Sequence, residues 1–318
     1  MQVNTNRIEA MMHFMRISLL KTGLIVSALF FFTPLSAQED TTDLLSLLGE
    51  DEPTLDYTIA TFKSTRVINM HSVENAAAGH LDFRISHRFG TINSGVSDLW
   101  GLDQAYMRLG FEYGLNDRMM VGLGRSNVNK EIDGFIKYKI LRQSSGLKNV
   151  PVTLSWFSSA VLRTTPFGDP NRENYFTSRM YYCHQLLIAR KVNDALSLQV
   201  APTLVHRNLV ADSTQNNDIY AIGLGGRYKI TKRTSFNAEW VVVPGDQLDP
   251  IYKNSLSLGF DIETGGHVFQ LHFTNSKPMN EKGFITETTG DWQEGDIQFG
   301  FNVSRMFSVI KPKSQPQE

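Results

Sequence analysis

Apolar and polar residues alternate along most of the chain after residue 79. Near its end, Ile297, Phe299, Phe301 and Val303 fall on one face, and the residues between them are polar or glycine. The same period of two recurs in the segments 81–89, 220–228, 236–242 and 256–262. Successive side chains of a β-strand point to opposite faces, so this period predicts strands.

The alternation predicts twelve strands, expected at 79–89, 103–113, 118–127, 133–143, 150–162, 178–190, 195–208, 217–230, 233–243, 253–262, 266–274 and 295–305. The one helical candidate, Asp43–Leu48, precedes them. No later segment is long and apolar enough for a membrane helix, whereas a barrel strand needs an apolar residue only at every second position. We therefore predict an all-β fold, an antiparallel transmembrane β-barrel of about 12 strands.

The lengths of the predicted connections support a membrane barrel. Those at 91–102, 163–177, 209–216, 244–252 and 275–294 are long and polar, and the ones between them are tight. Outer-membrane barrels combine short periplasmic turns with longer extracellular loops, so long and short connections alternate. Two connections depart from this rhythm: 128–132 is short for an outer loop, and 144–149 is long for an inner turn.

The N-terminus has the features of a secretory signal peptide. Arg16 and Lys21 precede an apolar run that ends near Phe32, and Ala37 provides a small residue for cleavage. We interpret 1–37 as the signal peptide, with a true start at Met12 or Met15. The expected domains are then an acidic leader at 38–56, a barrel at 79–307 and a polar periplasmic tail at 308–318. The expected location is the bacterial outer membrane, with its lipid as a partner.

Composition excludes several classes of protein. The formal net charge is −1, which gives no indication of nucleic-acid binding. Cys183 is the single cysteine, so no internal disulfide can form. His71, His80 and His87 lack the close spacing of zinc ligands, and no phosphate-binding loop occurs. We expect no cofactor and no metal, and the sequence leaves the oligomeric state open.

Residues 57–78, between the leader and the first strand, mix apolar and charged side chains. They are expected either to enter the barrel as a plug or cap, or to form a periplasmic strand or turn.

The inward faces of the early strands carry charge. By parity, the residues expected to line the lumen are Asp82, Arg84, Arg88, Arg108, Glu112, Lys137 and Lys139. They could act as a selectivity lining in which basic residues favour anionic solutes, or as an internal salt-bridge network.

The last strand ends on an outward aromatic residue, Phe307, although Arg305 interrupts that face. A terminal aromatic of this kind is similar to the signal by which the barrel assembly machinery recognises its substrates, and that machinery is a second expected partner.

Several stretches resemble a known family. They include His80–Gly90 followed by Gly101–Ala105 and Arg108–Gly110, together with Thr61–Arg66, His71–Glu74, Asp133–Phe135 and Lys137–Lys139. The family is a domain of unknown function of outer-membrane β-barrel proteins from Bacteroidota-type bacteria. The resemblance covers nearly the whole mature chain. It implies the fold and the location, and no activity.

Three functions remain. A narrow porin-like channel or facilitator for small solutes, with anionic ones suggested by the basic lining, is favoured. The alternative is a structural or interaction barrel that binds a partner through its long loops. A lipid-modifying enzyme is the third, because Ser178 and His184 share a predicted strand and face, and His206 and His272 also lie on strands. No nucleophile-elbow motif occurs, so no catalytic residue is assigned and the chain is not expected to be an enzyme.

Overall fold

Twelve antiparallel strands form a closed barrel, in agreement with the predicted fold class. The computed structural model describes residues 54–168, 171, 173–210 and 215–310. The expected signal peptide, most of the leader, the helical candidate at 43–48 and the tail from Lys311 onward lie outside the described residues.

Each predicted strand occurs, with ends that differ by a few residues. The barrel strands are β2 (His80–Thr91), β3 (Ala105–Gly114), β4 (Met119–Ser126), β5 (Glu131–Leu141), β7 (Thr153–Arg163), β8 (Met180–Lys191), β9 (Leu196–Arg207), β10 (Asp218–Lys229), β11 (Thr234–Val242), β12 (Ser255–Thr264), β13 (His267–Thr274) and β14 (Gln298–Ser308). Strand β14 pairs with β2 and closes the barrel. Two short strands outside it, β1 (Leu55–Tyr57) and β6 (Ser144–Gly146), pair with each other.

The period of two sorts side chains between the inside and the outside of the barrel. In β3, Met107, Leu109 and Phe111 are exposed on the outer face, while Arg108 and Glu112 are buried inside. An apolar outer surface over a polar inner one is the reverse of a soluble protein and is typical of a barrel that faces lipid.

Connections of different length lie at opposite ends of the barrel. The segments 92–104, 164–179, 208–217, 243–254 and 275–297 lie at one end, the long-loop end, and most connections at the other, the short-turn end, are tight. The long inner turn predicted at 144–149 spans 142–152 in the structure and contains β6. Its length is explained because β6 pairs with β1 of the N-terminal segment.

A short α-helix, α1 (Glu281–Thr286), lies in the last long loop, where no helix was predicted. The side chain of Asn280 caps it by accepting a hydrogen bond from the Gly283 amide at 2.8 Å. Within the part of the chain that the structure describes, no helix has the length and hydropathy needed to cross a bilayer.

Candidate functional site

Two segments of the chain fill the lumen. Residues 61–76, here called the inner segment, precede β2 and enter from the short-turn end. Residues 275–290, here called the inward loop, carry α1 and enter from the long-loop end. Most side chains in both segments are buried, including Val67, Met70 and Phe284 with no exposed surface.

The barrel wall satisfies the backbone amides of the inner segment. The carboxylate of Glu239, on β11, accepts hydrogen bonds from the amides of Ile68, Asn69 and Met70 at 3.0, 2.9 and 3.0 Å. Gln199 accepts from the Val73 amide at 3.1 Å. A buried backbone with no ladder partner needs such side-chain partners.

The wall also satisfies the carbonyl oxygens of the inner segment. Lys137 donates to the Ser72 oxygen at 2.9 Å and to the Thr65 oxygen at 3.5 Å. Three amide side chains donate in the same way: Gln199 to His71, Gln270 to Val67 and Asn302 to Ile68, at 2.7, 2.9 and 3.0 Å. The wall therefore holds this segment through polar contacts from opposite sides of the barrel.

The inner segment and the inward loop meet through a buried ion pair. The guanidinium of Arg66 lies 2.7 Å from the carboxylate of Glu281, the first residue of α1. The ring of His71 lies 3.4 Å from the same carboxylate. The adjacent Lys282 pairs with Glu131 of β5 at 2.8 Å, which ties α1 to the wall.

His71 is held in a setting that favours its neutral form. Its ring packs against Phe135 and Phe157, with centroids 4.5 and 4.3 Å away. Burial, followed by the nearby Arg66 cation, lowers the pKa of His71 well below its ordinary value. Burial also raises the pKa of Glu281, against the effect of Arg66.

All seven predicted lumen-lining residues lie on the inner face of the barrel, and all but Lys139 are fully buried. Arg84 donates to Ser64 and Thr65 of the inner segment at 2.7 and 2.9 Å and pairs with Asp82 at 3.0 Å. Arg108 pairs with Asp133. These groups therefore take part in a salt-bridge network that includes the inner segment.

The remaining members of that set also contact the inner segment. Glu112 lies 3.5 Å from Arg66, and Lys139 lies 4.0 Å from Glu74. Arg88 has no carboxylate partner within ion-pair distance among the described residues. It donates instead to the side-chain oxygens of Asn69 and Asn302 at 2.8 and 3.0 Å.

One sector of the inner wall is largely apolar, in contrast to the charged lining expected from the sequence. Its inward residues lie on β7 to β10 and are Phe157, Val161, Cys183, Leu187, Ala189, Ala201, Val205, Ile219 and Ala221. They pack in one cluster with Phe62, Val67, Met70 and Phe284 of the two lumenal segments. On their inward faces these strands mix apolar residues with small polar ones such as Ser155, Gln185 and Thr203, so their pattern does not say which face is inside.

Two inward glycines make room for the inner segment in this sector. A Cβ atom at Gly223 would lie 2.5 Å from the sulfur of Met70, and one at Gly225 would lie 3.3 Å from Val67 Cγ2. Glycine in a strand often marks such a close approach of another group.

The residues considered for catalysis do not come together as the sequence pairing suggested. Ser178 lies in a turn before β8. His184 faces outward on β8 and contacts Ser158 of β7 instead, with 2.9 Å between Nδ1 and Oγ. His206 contacts Asp218 at 2.6 Å near the long-loop end, and His272 is buried in the lumen. Within the described ranges, no group of three or more His, Cys, Asp or Glu side chains is arranged to hold a metal ion.

Phe307 lies near the short-turn end of β14 with its side chain 42% exposed on the outer surface. The guanidinium of Arg305 lies 5.0 Å from the centre of its ring. The assembly role of Phe307 stays a prediction.

An apolar outer face, a closed ring of strands and a filled polar lumen define the class of this protein: it is a membrane-bound β-barrel. Residues 62–307 match the family model described as "Membrane bound beta barrel domain (DUF5777)". The chain belongs to that family, which carries no assigned activity.

Solved structures with a similar course of the chain include two porins and a phospholipase. The NanC porin is 9% identical with a TM-score of 0.46, over 72% of this chain and 100% of that one. The KdgM porin is 11% identical with a TM-score of 0.43, over 72% and 98%. Outer membrane phospholipase A from Escherichia coli is 12% identical with a TM-score of 0.42, over 80% and 100%. A comparison with proteins of curated function found no match.

Proposed function

We propose that this protein is an outer-membrane channel for small solutes that is closed at rest by its inner segment and inward loop. The observation that carries the proposal is the way the inner segment is held. It contributes no strand to the barrel, and its backbone is bound by side chains of the wall such as Glu239 and Lys137. Water can replace bonds of this kind, so the segment can leave without opening the strand ladder.

The orientation follows from the loop lengths. The short turns belong to the periplasmic side and the long loops to the outside. The inner segment then enters the lumen from the periplasm, and the inward loop covers it from outside. A twelve-stranded barrel is intermediate between filled eight-stranded barrels and open porins, so its lumen is closed while both segments are docked and can open once the inner segment has left.

The charges of the wall favour anionic solutes. Among the buried charged residues described on the strands of the filled barrel, four cations have no ion pair, and only two carboxylates have none. The cations are Arg88, Lys137, Arg207 and Arg227, and the carboxylates are Glu239 and Asp261. Glu112 and Glu131 lose Arg66 and Lys282 when the two segments leave, and the buried charges of the strands then balance. The part-buried inward cations Lys139 and Arg163 supply the positive excess that raises the local concentration of anions.

Planar-bilayer recording tests this proposal. Residues 61–76 are replaced by a Gly-Ser linker of equal length, and correct assembly is checked by the heat-dependent gel mobility of folded barrels. We expect the variant to conduct steadily, with a reversal potential that favours anions, while the parent protein is silent or opens rarely.

A second function has its own observation. The apolar sector packs the two lumenal segments as a protein core does, with Phe157 and Leu187 fully buried. Such a core suits a structural or interaction barrel that stays filled and binds partners through its long loops. An assembled linker variant that does not conduct would favour this function over the channel. Equal conductance in parent and variant would exclude a closing role for the inner segment.

A further inference from the structure

Strand β9 contains a proline at a position where a barrel strand needs a backbone amide. Pro202 lies near the middle of β9, between Leu196 and Arg207, with its side chain exposed on the outer face. Proline has no N–H and is otherwise confined to edge strands, strand starts and bulges. A closed barrel has no edge strand, so Pro202 interrupts a paired strand.

The pairing between β8 and β9 is broken at this residue. It is continuous from Tyr181 opposite Arg207 to Gln185 opposite Thr203, and it resumes at Ile188 opposite Val200. The register is the same on both sides of the gap, so no bulge accounts for it. The other edge of β9 is intact, with Pro202 paired to Ile222 of β10.

The position of the break distinguishes it from the other irregularities of the barrel. The register shift between β14 and β2 lies at Gln298, and that between β5 and β7 lies at Lys139, both near strand ends. The break beside Pro202 lies about halfway along the strands, at the depth of the hydrocarbon. There, the carbonyl oxygen of Leu186 loses the amide that position 202 would supply, and lipid offers no substitute.

The inward residues at the break itself are apolar, and the next inward pair, Gln185 and Thr203, is hydrogen-bonded at 3.0 Å. Leu187 and Ala201, the inward residues beside the gap, are completely buried and belong to the apolar sector. An added Cβ at Gly223 would lie 3.3 Å from the Ala201 side chain and 2.5 Å from the sulfur of Met70. Met70 of the inner segment therefore lies beside Ala201 on its β10 side, next to the break.

We propose that the β8–β9 junction at Pro202 is a lateral gate through which an apolar or amphipathic molecule, such as one with an alkyl chain or aromatic ring, passes between the apolar sector and the bilayer. An apolar wall that opens toward lipid does not favour the passage of dissolved ions, because ions lose their hydration there. The missing hydrogen bond lies beside Leu187 and Ala201, and the flexible side chain of Met70 packs in the same apolar cluster. This passage goes beyond conduction along the barrel axis and does not require it.

A photoactivated aryl diazirine confined to the lipid tests the gate, because it can reach the inner segment only through the wall. The purified full-length protein is reconstituted in vesicles, illuminated and analysed by mass spectrometry for label on residues 61–76, relative to label on the outward Phe273. In Pro202→Val the restored amide completes the ladder. We expect labelling of the inner segment to fall roughly five- to tenfold, the effect of one hydrogen bond of ordinary strength on an open population.

Val200→Ala is the matched control, since it changes an outward residue of the same strand and keeps the amide; its labelling should equal that of the parent. Label on Phe273 reports that the probe is present in every sample. Equal labelling of residues 61–76 in parent and Pro202→Val would overturn the proposal. A parent sample in which Phe273 is labelled and the inner segment is not would also overturn the proposal.

A disulfide across the junction gives a second test that does not depend on the proline. Leu187→Cys with Ala201→Cys, in a Cys183→Ala background, links the two strands at the break. Oxidation should abolish labelling of the inner segment, and reduction should restore it. A disulfide on the intact neighbouring junction, Val200→Cys with Leu224→Cys, should have no effect. Equal labelling of the oxidised and reduced β8–β9 protein would exclude the gate.

Discussion

The contact between Gly223 and Met70 gives a direct measure of how tightly the inner segment is held. A Cβ atom at residue 223 would lie 2.5 Å from the Met70 sulfur and 3.3 Å from the Ala201 Cβ. Gly223→Val cannot fit while Met70 stays in place. Overpacking of this kind costs about 1–3 kcal/mol. The cost falls on the docked state of the segment, because the β-strand itself tolerates valine.

Met70→Ala perturbs the same contact in the opposite sense. Met70 is completely buried, and removing its side chain leaves a cavity that costs about 2–5 kcal/mol. In the double variant, the valine occupies the space that the methionine leaves. The two costs should therefore not add, and we expect a favourable coupling of about 1–3 kcal/mol.

The assay is the rate at which a water-soluble maleimide reacts with a cysteine in the inner segment. Val67→Cys in a Cys183→Ala background supplies the reporter, because residue 67 is buried only while the segment is docked. A destabilisation of 2 kcal/mol raises the undocked population, and with it the labelling rate, by roughly 30-fold. The double variant should return most of the way to the parent rate.

Two results would refute the reasoning. Additive effects in the double variant would mean that Gly223 and Met70 do not share one site. An unchanged rate in both single variants would mean that the segment leaves the lumen without breaking this contact. Gly226→Val is the matched control, since the nearest atom to an added Cβ there lies 3.6 Å away, which is ordinary contact.

Three further predictions concern other parts of the molecule. Glu281→Gln removes the main charge partner of the buried Arg66, and should destabilise the inward loop by up to ~3 kcal/mol, measured as faster proteolysis of 275–290. Below about pH 6.5, His71 binds a proton in the undocked segment but stays neutral in the docked one. The free energy of docking therefore becomes less favourable as pH falls, by at most ~1.4 kcal/mol per pH unit. The raised pKa of Glu281 makes docking stronger as pH falls, which is the opposite dependence. The contribution of His71 is therefore measured as the difference in maleimide labelling between the parent and His71→Gln. Phe307→Ala should reduce the yield of assembled barrel in cells, measured by heat-dependent gel mobility, while Met306→Ala leaves it unchanged.

The barrel could be predicted from the sequence because its signal is local. A strand that faces lipid on one side and a polar lumen on the other repeats every two residues, as in the alternation around Phe299 and Phe301. Tight turns such as 115–118 mark where each pair of strands ends. Both signals depend only on neighbouring residues, so twelve strands were found and their ends were approximate.

The contents of the lumen could not be predicted, because they depend on contacts between distant residues. The Arg66–Glu281 pair joins positions 215 residues apart. The six residues of α1 are too few to show a helical period, and the helix exists because the lumen buries it and Asn280 caps it. In β8, Leu186 and Leu187 point to opposite sides, and nothing in their neighbours says which one meets the inner segment.

The two halves of the lumen bind different parts of the same segment. The charged half binds its backbone and its polar side chains, as Lys137 and Glu239 do. The apolar half binds its hydrophobic side chains, as Gly223 does for Met70. In the filled lumen, the basic residues of the wall therefore bind protein. Under the proposed channel function, solute selection begins only after the inner segment has moved, so the labelling rate at residue 67 and the anion preference of the linker variant measure two consecutive steps.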